Sequence, residues 1–347
     1  MNSQWQDFLT SQGAVRDQDR IAHFGQPQQE LQTAVQGTII ADLSHLGLLQ
    51  LGGDDAVTFL QGQVTNDVKL LDGTNSQYAG YCTPKGRLLA IFLAFAHHDH
   101  LHLQLHGALK ENVLKRLKMY VLRSKVTLTD VSDSIIHFGI AGPQATAALD
   151  QVFGSAPQHI HALAILESAN LLRLPGDVPR YEVFCAPEHA AALWSQLQAF
   201  AAPVGTTVWE WLEIQAGIPD VTPATIEAFV PQMVNLDRLN GINFKKGCYT
   251  GQEIVARTHY LGKIKRRTLL AHLAGDQMPQ AADPVFGSDS TDAVGQVVRA
   301  AAAPAGGFDL LVEVREDSAA AGTLRWASVD GAALALRPMP YDLNPPG

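Results

Sequence analysis

Past residue 263 the apolar residues fall into short runs: TLLAHL, DPVFG, AVGQVV, DLLVEV, LRWASV and AALALRP. Each run is closed by glycine, proline or a polar cluster. Segments this short cannot supply the several turns of a packed helix, and six of them at this spacing predict a small β-barrel over 268–347. Upstream the punctuation is different. Residues 37–267 alternate strand-like and helix-like stretches, which predicts a mixed α+β region. A chain of 347 residues exceeds what one core ordinarily organises, so division into domains is expected. Residues 1–36 are polar and Gln-rich, with one weakly amphipathic turn around Trp5, Phe8 and Leu9, and read as an N-terminal arm.

Within 37–267, GTIIADLSHLGLLQLGG reads as strand segments, followed by a short helix in DDAVTFLQGQVTNDV that Asp54 or Asp55 would cap. SQYAGYCTPKGRLLAIFLAFA reads as two strands joined by a turn at Pro84-Lys85-Gly86. HLHLQLH (100–106) alternates strictly, so it predicts a half-buried strand with His100, His102, Gln104 and His106 on the open face. A helix over 107–122 and a strand at KVTLTDV follow. IIHFGIAG running into PQATAALDQVF reads as a βα unit, and LLRLP and YEVFCA as strands. PEHAAALWSQLQAF is a helix, with Pro187 in its first turn and Ala191, Leu193, Leu197 and Phe200 on its apolar face. TTVWEWLEIQAGIP is another, ended by Gly217. Residues 220–247 carry few regular signals, which in a compact domain suggests a functional segment.

Composition narrows the class of function. Apolar residues are 46% and charged residues 17% of the chain, as in a folded enzyme-sized protein, and the formal net charge of −9 argues against a general nucleic-acid coat. The three cysteines, Cys82, Cys185 and Cys248, are too few and too scattered for a disulfide framework or a structural zinc site. No signal-peptide pattern opens the chain, and no window holds 18 uninterrupted apolar residues. The expectation is a cytoplasmic protein with no membrane span and no bound metal.

Four groups of residues could carry chemistry. In FKKGCYTGQE (244–253), Thr250 and Glu253 have the spacing of a capping box, which would place Cys248 near a helix N-terminus. Lys245, Lys246 and Arg257 add positive charge, and these conditions favour a thiolate. Gly247 and Gly251 would let a ligand approach the backbone. The same residues also suit an inert cysteine behind a helix cap. His97, His98, His100, His102 and His106 form a second group: four share a strand face, and neighbouring histidines can bind a transition metal, although a solvated strand face explains them as well. Third, Trp209 and Glu213 are neighbours on one helix with Gln215 beyond. They could form an aromatic plate beside polar groups for a flat heteroaromatic ligand, or a tryptophan packed in the core. Fourth, KIKRR (263–267) could contact an RNA backbone or be a charged edge strand.

KKGCYTGQEIVAR (245–257) resembles the signature of the YgfZ family, folate-binding proteins linked to iron–sulfur cluster maintenance and tRNA modification. FLQGQVTNDV (59–68), TPKGRL (83–88), YVLRSKV (120–126), GIAGPQA (139–145), IQAGIP (214–219), FVPQMVNLD (229–237) and RPMPYDL (337–343) are similar to other segments of that family, in the same order. The family is similar in fold to the glycine cleavage T protein, an aminomethyltransferase. The resemblance therefore implies a ring of two interleaved α+β subdomains plus the C-terminal barrel, with tetrahydrofolate or a derivative in the centre.

Two positions depart from the T protein. Where that enzyme has a substrate-activating aspartate, PKGRLLAIF has no acid, and where it has a pterin-binding glutamate, this chain has Gln215. An amide accepts at one oxygen only. Aminomethyl transfer is therefore not expected, and whether the chain turns over a substrate stays open. Trp209 falls at a tryptophan of the family's folate site, and Leu46 falls where a second would be. The resemblance implies Cys248 as the functional thiol, with Lys246 and Arg257 tuning it. It implies Trp209, Gln215, Lys245, Gly247, Tyr249, Gly251, Gln252 and Glu253 as the folate-side residues. The implied partners are iron–sulfur client enzymes. An aminomethyltransferase-like enzyme and a tRNA-binding module are the alternatives.

Overall fold

A computed structural model describes residues 2–262, 264–288 and 290–343. The chain divides into two compact units, each built from three separate segments: Met1–Val57, Lys69–Gln77 and Leu93–Leu212 in the first, Thr58–Val68, Tyr78–Phe92 and Glu213–Gly347 in the second. Helix and strand are mixed throughout, as the alternating pattern predicts.

The first unit centres on a six-stranded sheet in the order Leu163–Ile165, Asn170–Leu174, Arg180–Cys185, Ile136–Ala141, Ile39–Asp42, Ala202–Val204. Every pairing is antiparallel except the last. Helices Ser3–Ser11, Ala145–Phe153 and Pro187–Leu197 contribute their apolar stripes to the same core as this sheet. Leu9, Phe138 and Leu149 there are fully buried, and burial of such side chains contributes about 1.5–3 kcal/mol each. The Gln-rich first 36 residues fold as a helix, a hairpin and a second helix, Pro27–Gln36. Trp5 reaches into the core, stacks on Phe138 and donates its Nε1–H to Asp42 at 2.7 Å. Burial pushes the Asp42 carboxyl up to about 6 despite that bond.

The strand His100–His106 differs from its sequence-based expectation. It is buried on both faces: His102 is 3% and Gln104 5% exposed. The strand runs between Leu46–Gly52 and Leu93–His97, and its polar face is covered by protein that includes the strand Arg180–Cys185 of the six-stranded sheet. His102 stacks on Phe95 with ring centroids 5.1 Å apart, and Gln104 Nε2 donates to Glu182 at 2.9 Å. The alternation is real, but the polar positions face protein and not solvent.

In the second unit the six C-terminal runs form a curled antiparallel half-barrel, ordered Arg325–Trp326, Pro284–Phe286, Ala293–Ala302, Phe308–Arg315, Arg266–Leu273, Leu334–Arg337. One face packs a dry core of Ala271, Leu273, Val285, Val297, Leu310 and Val312. The basic run leads into the strand Arg266–Leu273, which pairs with Phe308–Arg315 along its whole length but with Leu334–Arg337 only over Leu270–Leu273, so Arg266 and Arg267 have a strand on one side only, as an edge segment does. Its arginines are already committed: Arg266 pairs with Glu313, and Arg267, 2% exposed, makes a two-pronged bond to Asp237 at 2.6 and 3.0 Å. Lys263 lies outside the described residues. The irregular stretch before it holds two short 3-10 turns, Pro223–Thr225 and Pro231–Val234. It is ordered by this same network, for Gln232 donates to the carbonyl of Val255 at 2.7 Å and Asn235 to that of Thr268 at 2.8 Å. The expected helix after Asp55 is only Ala56–Gln61, and the chain then loosens into the segment that meets the cysteine loop.

Candidate functional site

The cysteine loop is built on that loosened segment. Lys246 is 7% exposed, and its ammonium donates to three backbone carbonyls, those of Gln61, Val64 and Asn66, each at 2.7 Å. An ammonium has three N–H donors, so this set uses all of them. The Tyr249 ring lies 5.1 Å from the same nitrogen. Around this pin the two chain segments are laced together. The backbone N–H of Asn243 donates to Thr65 and that of Thr250 to Gly62, while Asn66 Nδ2 reaches the carbonyls of Tyr78 and Asn240 at 2.8 and 2.7 Å. A residue expected to tune a thiol or hold a ligand therefore fixes the loop from beneath.

The expected capping box is absent. The helix is Gln252–Tyr260, its N-cap is Gly251 with φ 86°, and no side chain caps it. A left-handed residue between Thr250 and the helix breaks the register that the T-x-x-E spacing assumes. Only glycine fits at this point, since a Cβ would come within 2.5 Å of the Thr83 carbonyl oxygen. The Pro84-Lys85-Gly86 turn thus packs under the helix start. Glu253 lies in the first turn and is exposed.

Cys248 sits above this platform and is exposed, whereas Cys82 and Cys185 are buried. Burial pushes both of those thiols up to about 12, so neither ionises readily near neutral pH. Gly247 has nothing within 4 Å of where a Cβ would stand, which leaves one side of Cys248 open. Lys245 and Arg257 are exposed. The sequence reading missed the clasp that closes the loop: the rings of Phe244 and His259 stack with centroids 3.7 Å apart and planes 11° apart. An aromatic at each end of the motif, in FKKG and THY, was the available signal.

The remaining site residues are placed as follows. Trp209 is 2% exposed in the first unit, with the Arg180 guanidinium 4.9 Å from its ring. A Cβ on Gly139 would come within 2.3 Å of that ring, so the glycine makes room for it. A tryptophan enclosed in this way offers no open face for stacking a ligand. Gln215 is in the second unit and donates Nε2–H to Asp309 at 3.0 Å. Because a carboxylate can only accept, this bond fixes the amide orientation and leaves Oε1 as the acceptor. Asp309, 1% exposed, also binds His272 Nδ1 at 2.8 Å and Arg337. Of the histidine run, His97 and His98 line a cavity of about 410 Å³ in the first unit with His189 and Glu167. Among the described residues no three His, Cys, Asp or Glu side chains are grouped to hold a metal, and no helix is long and apolar enough to cross a membrane.

Residues 7–174 match the GCVT N-terminal domain. The tRNA-modifying protein YgfZ of Sodalis glossinidius is 33% identical over 309 residues, covering 88% of this chain and 93% of that protein. The chain belongs to the YgfZ family. Another member, from Colwellia psychrerythraea, is 35% identical over 250 residues, covering 72% and 76% of the two chains. Among solved structures, the glycine cleavage system aminomethyltransferase T of Bartonella henselae matches with a TM-score of 0.74 at 16% identity, over 98% of this chain and 97% of that one. That likeness shows the fold. The family membership agrees with the resemblance of the motif KKGCYTGQEIVAR, which carries the exposed Cys248.

Proposed function

We propose that this protein is a folate-binding accessory factor for iron–sulfur cluster assembly or repair, acting in the cytoplasm on enzymes that include those modifying tRNA. Cys248 is its working thiol. The observation that carries the reading is the contrast among the three cysteines: one exposed on a braced loop, two sealed in cores. A thiolate that attacks a client's disulfide or persulfide, displacing the other sulfur as a thiolate or hydrosulfide, or that coordinates a cluster iron after losing its proton, must reach out of the protein and be held still while it does so. The Lys246 pin and the Phe244–His259 clasp supply the rigidity. Gln252, Glu253 and Arg257 form the first turns of the helix beyond it.

The residues of the second unit suit a folate in part. Gln215 Oε1, oriented by Asp309, would accept one N–H of the pterin, and the exposed Lys245 would meet a carboxylate of the glutamate tail. Tetrahydrofolate supplies one-carbon chemistry when bound. Trp209, buried in the first unit, is not assigned a stacking role on the ring. Aminomethyl transfer is not part of this reading, because the strand after Lys85 offers no acid.

The direct test on purified protein is iodoacetamide labelling read by mass spectrometry. Cys248 should be alkylated at least ten-fold faster than Cys82 or Cys185 in the folded chain, and prior alkylation should remove the protein's support of cluster repair in an extract lacking it. Full support from a chain alkylated only at Cys248 would end the working-thiol reading.

A further inference from the structure

The helix Lys110–Val121 carries a charge that the rest of the chain does not. Residues 110–125, KENVLKRLKMYVLRSK, hold six of the 25 lysines and arginines and a single acid, Glu111, in a protein of net charge −9. Two of the six are occupied: Lys110 binds Asp130 and Ser132, and Lys125 pairs with Asp54. Among the described residues Lys115, Arg116, Lys118 and Arg123 have no ion-pair partner, and all but Arg116 are exposed.

Apolar groups are interleaved with these cations. Met119 is 60%, Tyr120 44% and Leu122 88% exposed. Arg116 lies 6.0 Å from the centroid of the Tyr120 ring. Leu122 holds its side chain outward from a left-handed backbone with φ 48°, a conformation that costs a non-glycine residue energy. A shallow groove lined by Glu111, Leu114, Lys115, Lys118 and Met119 runs alongside.

We infer that this surface docks a structured RNA of the tRNA class. Clustered unpaired cations are the electrostatic complement of a phosphate backbone, and an exposed tyrosine beside a guanidinium is a platform on which an unpaired base stacks. A membrane surface fits less well. A helix lying in a lipid interface needs a continuous apolar face, and here the apolar stripe, Val113 and Leu117, is spent on the protein's own core at 4% and 0% exposure. The inference draws on the tRNA connection proposed above but uses no part of the Cys248 loop. It also replaces KIKRR as the RNA-facing element, since Arg266 and Arg267 are bound to carboxylates.

The test uses the full chain and a fluorescein-labelled tRNA transcript, read by anisotropy from 50 to 300 mM KCl. Binding should weaken with salt with a log–log slope of about −3, as four phosphate contacts require. The combined substitution Lys115→Glu, Lys118→Glu and Arg123→Glu should weaken binding at least 30-fold and flatten the slope. Tyr120→Ala leaves the charge intact and should weaken it about 5- to 50-fold. Cys248→Ala should bind as the parent does, which separates this surface from the thiol. No binding at 50 mM KCl, or binding that the triple variant leaves unchanged, overturns the inference. Indifference to Tyr120→Ala, with equal competition by heparin, overturns it in favour of an acidic protein partner. Sedimentation with phosphatidylglycerol vesicles but not with tRNA overturns it in favour of a membrane.

Discussion

Lys246→Met should destabilise the second unit by about 3–4 kcal/mol. The substitution keeps the aliphatic stem and removes a buried ammonium, and it leaves the carbonyls of Gln61, Val64 and Asn66 without their donor. Charge-assisted hydrogen bonds contribute about 1.5–3 kcal/mol each, and a buried carbonyl left unpaired costs about 1–3 kcal/mol, with partial relief where water enters. Lys246→Arg should not rescue it, because a planar guanidinium cannot converge on three carbonyls as a compact ammonium does. Calorimetric melting of the two variants provides the check. A loss below 1 kcal/mol for Lys246→Met would mean that the loop is held by its backbone bonds alone.

Acidification should destabilise the first unit steeply between pH 6.5 and about 4. Burial holds the imidazoles of His102 and His137 down at about 4, against an ordinary value near 6.5. Burial does the same to His161. A depressed group of this kind stabilises the fold fully above its unfolded pKa, and that contribution is lost as pH falls through the folded one. Each of the two most buried histidines therefore contributes about 3 kcal/mol at pH 7 that is gone by pH 4. Asp42 works in the opposite direction. Its carboxyl is raised to about 6, so its penalty grows as pH rises from 3.8 to 6 and is relieved on acidification. With three histidines against one aspartate, the net slope still favours neutral pH. His137→Leu should narrow the difference in stability between pH 7 and pH 4.5 by about 2.5 kcal/mol, whatever it does to stability at pH 7. Urea titrations at the two pH values measure it, and an unchanged difference would show that His137 charges in the fold without cost.

Local pattern carried much of the fold. The six short C-terminal runs, the Pro84-Gly86 turn and the helix begun by Pro187 all follow from residues within one or two turns of each other. What the sequence could not display depends on distant partners. The strand His100–His106 has one polar face by pattern, but its solvent exposure depends on what packs onto that face, here Glu182 some 78 residues away. The charge on KIKRR is plain in the sequence, yet Glu313 and Asp237 pair with two of its cations, Arg266 and Arg267, across tens of residues.

The site was legible in the same uneven way. The thiol and its glycines are contiguous and could be singled out. The role of Lys246 could not, because its acceptors lie some 180 residues earlier and are backbone atoms with no residue signature. The Thr250–Glu253 spacing misled because one left-handed glycine resets where the helix begins. Trp209 reads from sequence as either a plate or a core residue, and its enclosure by Gly139 and Arg180 is what decides for the second.

The working role proposed for Cys248 is tested most directly by complementation. A strain lacking this protein would be supplied with the parent chain, with Cys248→Ala, or with Cys82→Ala and Cys185→Ala combined, and assayed for an iron–sulfur tRNA-thiolating enzyme. The expected result is loss of activity with Cys248→Ala at normal protein abundance, and retention with the double variant. Restoration by Cys248→Ala to the level of the parent chain would contradict the assignment.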